Sequence, residues 1–368
     1  MFVRSCLASC LALAACGGSS PAGDTTSTGG GSSGVASSGG AASSGGSTAV
    51  ASGSSSGAAD STGASGPCGS SPQSLAECVE AQRYADDLAL VTGERTPGSA
   101  HSQAVQDLCA DRLTALGYEV DRFEYATGVD IIGRRAGTSM PEQIVMVGAH
   151  YDHIAGCAGA DDNGTGVAAT LEVARVLASI ELPRTIVVAC WDEEEAGLRG
   201  STAFAEQAVV QGLDVVGYVN FEMIGYRTEA PDSQQIPTGL DLAFPNAYAQ
   251  VEADGFRGNF IALIANAGAV PLASDFAAQA EFDDLRTVLI DPPAGTETSD
   301  LFADLRRSDH AAFWDAGYAA LLVTDTAEFR NPHYHCSGGP DEIADLDRDF
   351  AVAITRASVA AAAIAAGL

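Results

Sequence analysis

The sequence predicts a three-layer α/β/α domain built around a mixed, largely parallel central sheet. Apolar runs of strand length, such as "EQIVMVGAH" and "RTIVVACW", alternate along the chain with stretches of helical apolar spacing. Such runs are typical of strands buried on both faces, and strands that alternate with helices favour a parallel sheet. Polar residues also collect directly after these runs, where ligands gather in folds of this kind.

The individual elements follow in order from about Leu75. Helical spacing is present in "AECVEAQRYADDLALV" and "SQAVQDLCADRLTALG", and "YEVDRFEYA" alternates like a half-exposed strand. Three buried strands are predicted at "IVMVGAH", "TIVVACW" and "VVGYVNFEMI", with the helices "GVAATLEVARVLASI" and "GSTAFAEQAVVQ" between them. Further strands are predicted at "NFIALIA", "LRTVLI" and "YAALLVTD", and a long helix at "FAVAITRASVAAAAIAAGL".

The chain divides into three parts: a signal segment at residues 1–16, a linker at 17–73 and a folded domain at 74–368. The linker is rich in Gly, Ser, Ala and Thr. Too few large apolar groups are present there to offset the entropy of ordering, so a flexible tether is expected.

The first 16 residues have the features of an export signal. One Arg precedes an apolar run that is too short to cross a bilayer and that ends in Leu-Ala-Ala-Cys. This ending resembles a bacterial lipobox, which implies that Cys16 is lipidated. The protein is then exported and lipid-anchored to the bacterial cell envelope, at the outer membrane or cell surface; a secreted protein with an ordinary cleaved signal is the alternative.

The charge of the chain limits its partners. The formal net charge is -30, and all 18 basic residues are Arg. A surface so acidic repels phosphate backbones and anionic headgroups, which excludes nucleic acid and direct membrane-surface binding. We therefore expect contact with a membrane only through the N-terminal lipid anchor. A monomeric protein is also expected.

Residues that can bind a metal follow the predicted buried strands. They are His150, Asp161 and Asp162, Glu193, Glu194 and Glu195, Glu222, and the histidines of "HYHC" at 333–336. Imidazole and carboxylate suit divalent cations, and the absence of closely spaced cysteines favours a catalytic over a structural zinc site.

Six motifs together carry a family resemblance. "GAHYDH", "GADDNGTG", "EEAGLRGS", "NFEMIG", "SDHAAF" and "NPHYH" resemble, in this order, the motifs of the M28 zinc aminopeptidases and carboxypeptidases. The resemblance covers about residues 80–365. It implies the phosphorylase/hydrolase-like fold of zinc exopeptidases, two Zn²⁺ ions per chain and a peptide substrate.

The resemblance also implies five metal ligands. His150 would bind one zinc, Asp162 would bridge both, Glu195 would be a further ligand, and His335 matches the last ligand. Glu222 matches a position usually held by Asp on the other zinc, and it is one methylene longer. Asp161 matches a variable position.

Further residues receive roles from the same resemblance. Asp152 would orient His150. Glu194 would be the general base for a water that bridges the two zinc ions and attacks the carbonyl. Tyr334 would stabilise the oxyanion, or only pack beside the metals. Asp309 and His310 are expected in a buried network near the substrate, whereas His153 and His333 have no matching role and are interpreted as loop residues.

The substrate remains open between an aminopeptidase, which is favoured, and a carboxypeptidase. An acidic site suits a free α-amine, whereas a terminal carboxylate would need an Arg clamp. The candidates for that clamp are Arg199, Arg227, Arg306, Arg307 and Arg330. A glutaminyl cyclase would carry Trp where Tyr334 stands, and an inactive binding protein would have lost ligands.

The cysteines are interpreted for an oxidising compartment. Cys157 lies between His150 and Asp162, and Cys336 directly follows His335. If these ligands converge on one site, the two sulfurs come together, so we predict a Cys157–Cys336 disulfide; free thiols or other pairings are the alternatives.

Overall fold

The computed structural model describes residues 68–368, so Cys16, the signal segment and most of the linker lie outside the described residues. Within this range eight strands form one sheet, in the order β1-β2-β4-β3-β5-β8-β6-β7. The strands are β1 Glu119–Glu124, β2 Val129–Arg135, β3 Met140–His150, β4 Arg184–Trp191, β5 Asp214–Glu222, β6 Ile261–Ala265, β7 Thr287–Ile290 and β8 Ala320–Thr324.

The centre of the sheet is parallel and its margins are mixed. Strands β4, β3, β5 and β8 are parallel neighbours, whereas β1, β2 and β6 join their inner neighbours in antiparallel pairs. Strand β7 pairs with β6 in parallel. The carboxyl ends of the four central strands therefore meet at one edge, as the predicted fold requires.

Helices cover both faces of this sheet. They are α1 Pro72–Ala76, α2 Ala81–Val91, α3 Ala100–Ala115, α4 Gly166–Leu177, α5 Arg199–Gln211, α6 Leu240–Ala243, α7 Pro245–Ala253, α8 Val270–Ala280, α9 His310–Asp315 and α10 Arg348–Ala365. One core lies under α2, α3, α4, α8 and α10, and the other lies under α5, α7 and α9. Along β3, Val145 and Val147 enter the first core and Ile144 and Met146 the second, because successive side chains point to opposite faces. The predicted three-layer fold is confirmed.

The structure differs from the sequence analysis at three places. The predicted helix over 76–91 is interrupted, because a Cys68–Cys78 disulfide and a turn separate α1 from α2. Helix α1 begins at Pro72, two residues before the predicted start of the domain, where the Ser71 side chain accepts a hydrogen bond from the Ser74 amide. Strand β2 was missed, although its sequence "VDIIGRR" carries an apolar pair.

Among residues 68–368, no helix is both long enough and apolar enough to span a membrane.

Candidate metal and catalytic site

The candidate site lies at the carboxyl edge of the four central strands. His150 ends β3, Glu222 ends β5, and Glu194 and Glu195 follow β4. His335 follows β8 in a short turn. The parallel order of these strands brings together residues that are far apart in sequence.

The first group of possible ligands surrounds His150. Its Nε2 atom lies 3.1 Å from Glu222 Oε2 and 3.6 Å from Asp162 Oδ1. Ligand atoms of His150, Glu194 and Glu222 all lie within 4.8 Å of one another. The extra methylene of Glu222 therefore does not prevent its carboxylate from reaching His150.

The second group surrounds His335. Its Nε2 atom lies 3.3 Å from Asp162 Oδ2 and 3.1 Å from Glu195 Oε2. Asp162 thus has one oxygen at each group: Oδ1 faces His150 and Oδ2 faces His335. A carboxylate placed in this way can serve two cations at once.

The atoms fit the two zinc ions that the sequence resemblance implies. His335 Nε2 is buried beside two carboxylate oxygens, yet within residues 68–368 it has no hydrogen-bond partner. A nitrogen and oxygens that approach one another without hydrogen-bond geometry are the arrangement expected of ligands that share a cation. Nitrogen and carboxylate ligands are also the donor set of catalytic zinc sites.

Asp152 supports this site from behind. Its Oδ1 atom lies 3.4 Å from His150 Nδ1, and its two oxygens accept hydrogen bonds from the amides of Glu194 and Glu195 at 3.0 and 3.2 Å. His150 Nδ1 hydrogen-bonds the Asp152 carbonyl oxygen at 3.2 Å with the carboxylate beside it, and the two together orient the imidazole so that Nε2 faces the metal position. The same side chain therefore links the loop after β3 to the loop after β4.

The run of three glutamates separates into two roles. Glu194 and Glu195 face the two groups of ligands, whereas Glu193 hydrogen-bonds Thr127 and lies 3.6 Å from Arg199. Burial raises the pKa of Glu194 well above its usual value, and neighbouring carboxylates add to this while His150 opposes it. This environment suits a residue that must both take and return a proton.

A chain of buried hydrogen bonds ends at Glu222. Trp191 Nε1 donates to Tyr218 Oη at 2.7 Å, and that hydroxyl donates to Asn220 Oδ1 at 2.6 Å. Asn220 Nδ2 donates to Ser308 Oγ at 2.7 Å, and Ser308 Oγ donates to Glu222 Oε2 at 2.6 Å. Because an indole N–H can only donate, it sets the direction of the hydroxyl of Tyr218. Ser308 lies in the motif "SDHAAF", in which only Asp309 and His310 are predicted to take part in a buried network.

Two residues for which the family resemblance implies no role, His153 and Asp161, lie inside the site. His153 is fully buried, and its Nδ1 atom lies 2.9 Å from Glu195 Oε1. Asp161 is also buried and accepts hydrogen bonds from Gly225 N at 2.9 Å and Asn331 Nδ2 at 2.8 Å. Asp161 therefore ties the loops after β3, β5 and β8 together, and His153 is a loop residue that contacts a proposed ligand. His333, by contrast, is a loop residue with Nδ1 3.1 Å from Asp345.

Arg95 is a further residue that the sequence analysis missed. It is fully buried, and its guanidinium donates to the carbonyl oxygens of Tyr151, Ala158, Gly159 and Asp162 at 2.8–3.1 Å. Burial lowers its pKa to about 10, while nearby carboxylates oppose that shift. Arg95 holds the loop between β3 and α4 in shape. A lone Arg in "GERTPG" carries no local signal of this role.

Asp309 and His310 are buried as expected, but they differ in what they touch. Burial raises the pKa of Asp309 to about 7, and it interacts electrostatically with His150 and Glu222. His310 Nε2 donates to the Leu305 carbonyl at 2.9 Å, and its ring meets Trp314 edge-on at 4.7 Å. His310 therefore supports the segment that lines the neighbouring cleft and contacts no proposed ligand.

His310 is expected to make an unfavourable contribution to the stability of the protein in acid. Burial lowers its pKa to about 4 from 6.5, so the unfolded chain binds the proton first as the pH falls. The stabilising contribution is complete above pH 6.5 and is lost between 6.5 and 4, by an amount on the order of 3 kcal/mol. Urea unfolding at pH 7 and pH 4.5 measures this change in the free energy of unfolding. The loss between the two pH values should be smaller in His310→Gln than in the wild type, and an equal loss in both proteins would contradict this assignment.

An apolar cleft opens beside the site. About 850 Å³ of empty space, part of it open to solvent, lies between α7 and strands β6, β7 and β8. Its apolar lining includes Ile236, Leu240, Val251, Phe260, Ile264, Val288, Ile290 and Leu322. Glu222 and Tyr334 also line it, so the cleft reaches the ligands. The ring of Tyr334 stacks on His335 at 3.9 Å, and its hydroxyl accepts from Arg307 at 3.2 Å.

The proposed carboxylate clamp has one remaining candidate. Of the five arginines considered, Arg307 lines the cleft, and it is ion-paired with Glu328, which lines it too. The other four are engaged elsewhere: Arg199 with Glu193, Arg227 with Glu229, Arg306 with Asp315, and Arg330 with Gln234 and the Phe260 carbonyl. The cationic charge at the cleft is therefore balanced.

Cys157 and Cys336 form the disulfide that the sequence analysis expects. The Cα atoms are 5.7 Å apart, well inside the range that a disulfide can bridge. The bond joins the loop that carries Asp162 to the turn that carries His335, over 179 residues of sequence. Within residues 68–368, Cys109 and Cys190 are unpaired and buried.

Removing this disulfide should affect both stability and metal binding. The double variant Cys157→Ser/Cys336→Ser is expected to lose about 2–4 kcal/mol in the free energy of unfolding. Its zinc affinity should fall as well, because the position of His335 is no longer tied to that of Asp162. Cys68→Ser/Cys78→Ser is the matched control, which should lose stability with unchanged zinc affinity. Equal zinc affinity in both double variants would show that the bond does not support the site.

The family model for "Peptidase family M28" matches residues 130–362, which is more than half of the chain. The chain belongs to peptidase family M28. Members of this family are hydrolases that act on peptide bonds. The match spans all five proposed ligands together with Glu194, Asp152 and Tyr334.

Three known proteins illustrate what this chain is similar to. The chain is 31% identical over 232 residues to the "Probable lipoprotein aminopeptidase LpqL" of Mycobacterium tuberculosis, which covers 61% of this chain and 42% of LpqL. The LapA aminopeptidase of Legionella pneumophila has a similar fold (TM-score 0.59, 18% identity, 81% of this chain and 75% of LapA). The glutaminyl cyclase of Porphyromonas gingivalis also has a similar fold, with a TM-score of 0.51 and 17% identity over 77% of this chain and 98% of the cyclase. Likeness at this identity shows the fold alone, and the chain aligns with 59% or less of the length of its first curated relatives.

Proposed function

We propose that this M28 protein is a two-zinc metallo-exopeptidase that releases N-terminal residues. The observation that carries the proposal is the position of Asp162, whose two oxygens face separate histidine–carboxylate groups beside the half-buried Glu194. His150, Glu222 and Asp162 would hold one zinc, and Asp162, Glu195 and His335 the other. Two zinc ions at such a site lower the pKa of bound water and polarise the scissile carbonyl.

Side chains of the protein would transfer the proton, stabilise the oxyanion and position the metal ligands. Glu194 takes the proton of the attacking water and returns it to the leaving amine, for which its raised pKa is suited. Tyr334 lies beside His335, where its hydroxyl can donate to the developing oxyanion. Asp152 and Ser308 keep His150 and Glu222 in place.

The charge at the cleft favours a free amine over a free carboxylate as the recognised end of the substrate. Arg307 is ion-paired with Glu328, so the described lining of the cleft has no unpaired cation that could bind the carboxylate of a substrate. Carboxylates dominate the rest of the site, and they suit the α-ammonium group of a peptide. The proposal is therefore an aminopeptidase, with the carboxypeptidase as an outcome of the test.

The apolar cleft indicates a preference for large apolar side chains. Burying a Leu or Phe side chain contributes about 1.5–3 kcal/mol, which corresponds to about 10- to 100-fold in kcat/KM over glycine. We expect Leu-p-nitroanilide to be cleaved faster than Gly-p-nitroanilide by that factor, with loss of activity under 1,10-phenanthroline and recovery on adding Zn²⁺.

Three outcomes of the same assays would contradict the proposal. Cleavage of N-blocked dipeptides alone would replace the aminopeptidase by a carboxypeptidase. Cyclisation of peptides with N-terminal Gln, without hydrolysis of other residues, would favour a glutaminyl cyclase. Zinc binding without turnover of any peptide would favour an inactive binding protein.

We also propose that the protein is exported and anchored through a lipid on Cys16. The Leu-Ala-Ala-Cys ending and the linker after it support this, and one relative is itself named a lipoprotein aminopeptidase. Labelling with radioactive palmitate should mark the wild type and not Cys16→Ser. Equal labelling of both proteins, or of neither, would exclude an anchor at this cysteine.

A further inference from the structure

We infer that His153 is a positioning residue for Glu195: its imidazole holds one carboxylate oxygen, which leaves the other for the metal at His335. The inference rests on the proposed function, because it concerns the second of the two proposed zinc positions. It adds to that site a residue outside the five ligands, which supports Glu195 as Ser308 supports Glu222 at the first zinc position.

The two oxygens of Glu195 have different partners. His153 Nδ1 lies 2.9 Å from Oε1, and His335 Nε2 lies 3.1 Å from Oε2. Asp162 is more distant from His153, at 3.7 Å. A hydrogen bond from His153 to Oε1 therefore occupies that oxygen and favours metal binding through Oε2 alone.

The surroundings of His153 select the tautomer that this bond requires. The side chain is fully buried, and its Nε2 atom has no hydrogen-bond partner in the described part of the chain. A neutral ring protonated at Nδ1 donates to Glu195 and leaves only an acceptor unpaired at Nε2. Any form protonated at Nε2 would bury an N–H without a partner, which is costly.

The ring is also held in one orientation. The His153 amide donates to the Arg95 carbonyl at 3.1 Å, which fixes the backbone. Gly159, at φ 59°, packs against the ring so closely that a Cβ there would lie 2.6 Å from His153 Cδ2. Only a residue without a side chain fits this contact. The donor atom is thus placed before any metal binds, and outer partners of this kind typically contribute 10- to 100-fold to metal affinity.

Three substitutions at one position separate the hydrogen bond from simple packing. Asn carries its Nδ2 atom where His carries Nδ1, so His153→Asn keeps a donor for Glu195. His153→Gln places its amide one bond further out, and His153→Leu has no donor. The readout is competition for Zn²⁺ against a chromophoric chelator, which gives one dissociation constant for each of the two ions, with thermal melting of the metal-free proteins as the control for folding.

We expect about 10- to 100-fold weaker binding of one zinc ion in His153→Leu and His153→Gln, unchanged binding of the other ion, and recovery to within a few-fold in His153→Asn. Unchanged constants in His153→Leu would overturn the inference, as would equal weakening of both ions. Failure of a folded His153→Asn to recover would also overturn it, because the imidazole would then act as a ligand or by packing. A wild-type chain that binds no pair of zinc ions would instead overturn the proposed function.

Discussion

Replacing Glu194 by Gln is expected to lower kcat by about 10²–10⁴-fold while the zinc content stays that of the wild type. The amide has nearly the same shape as the carboxylate but cannot accept the proton of the attacking water. Glu194 is not among the five proposed ligands, so the metals should remain. Kinetics on Leu-p-nitroanilide, together with elemental analysis of the purified protein, would measure both quantities.

The adjacent glutamate provides the matched control for this experiment. Glu193→Gln makes the same chemical change one residue earlier, where the side chain contacts Thr127 and Arg199. Its kcat should stay within a few-fold of the wild type. If Glu193→Gln is the inactive variant and Glu194→Gln retains activity, the assignment of roles within the glutamate run is wrong.

Asp162→Asn should have the other large effect, a loss of zinc binding at both positions. The carboxylate offers one oxygen to each group, whereas an amide can offer its single oxygen to only one and turns N–H atoms toward the other. Residues that hydrogen-bond metal ligands typically contribute 10- to 100-fold to metal affinity. Loss of a ligand that is shared by two ions should therefore weaken zinc binding by more than about 100-fold. Zinc titration would show the loss, and peptidase activity should fall with it.

A surface aspartate serves as the control for the change in charge. Asp345→Asn also removes one negative charge, but its partner is His333, outside the proposed ligand set. It should bind two zinc ions as the wild type does. Two tightly bound ions in Asp162→Asn would show that this carboxylate does not bridge them.

Much of the fold could be predicted because its signals are local. Strands β3, β4 and β5 consist largely of consecutive apolar residues, and this pattern predicts their burial. The polar residues that follow these strands indicate the edge of the sheet at which the site lies. Helix α1 was predicted less well, because the Cys68–Cys78 bond that separates it from α2 is not a periodic signal. Strand β2 was missed for a similar reason: it is a short run with two charged residues at its end.

The sequence by itself determined the layered fold, the family and the candidate ligands, since these depend on periodicity and on motifs within a few residues. The tertiary structure decided which side chains support those ligands. His153 meets Glu195 across 42 residues, Asp161 meets Gly225 across 64 and Asn220 meets Ser308 across 88. Such contacts depend on the order of strands in the sheet and the course of the loops between them. No local pattern encodes either, so a histidine that is unremarkable in "GAHYDHIAG" proves to be buried against a proposed ligand.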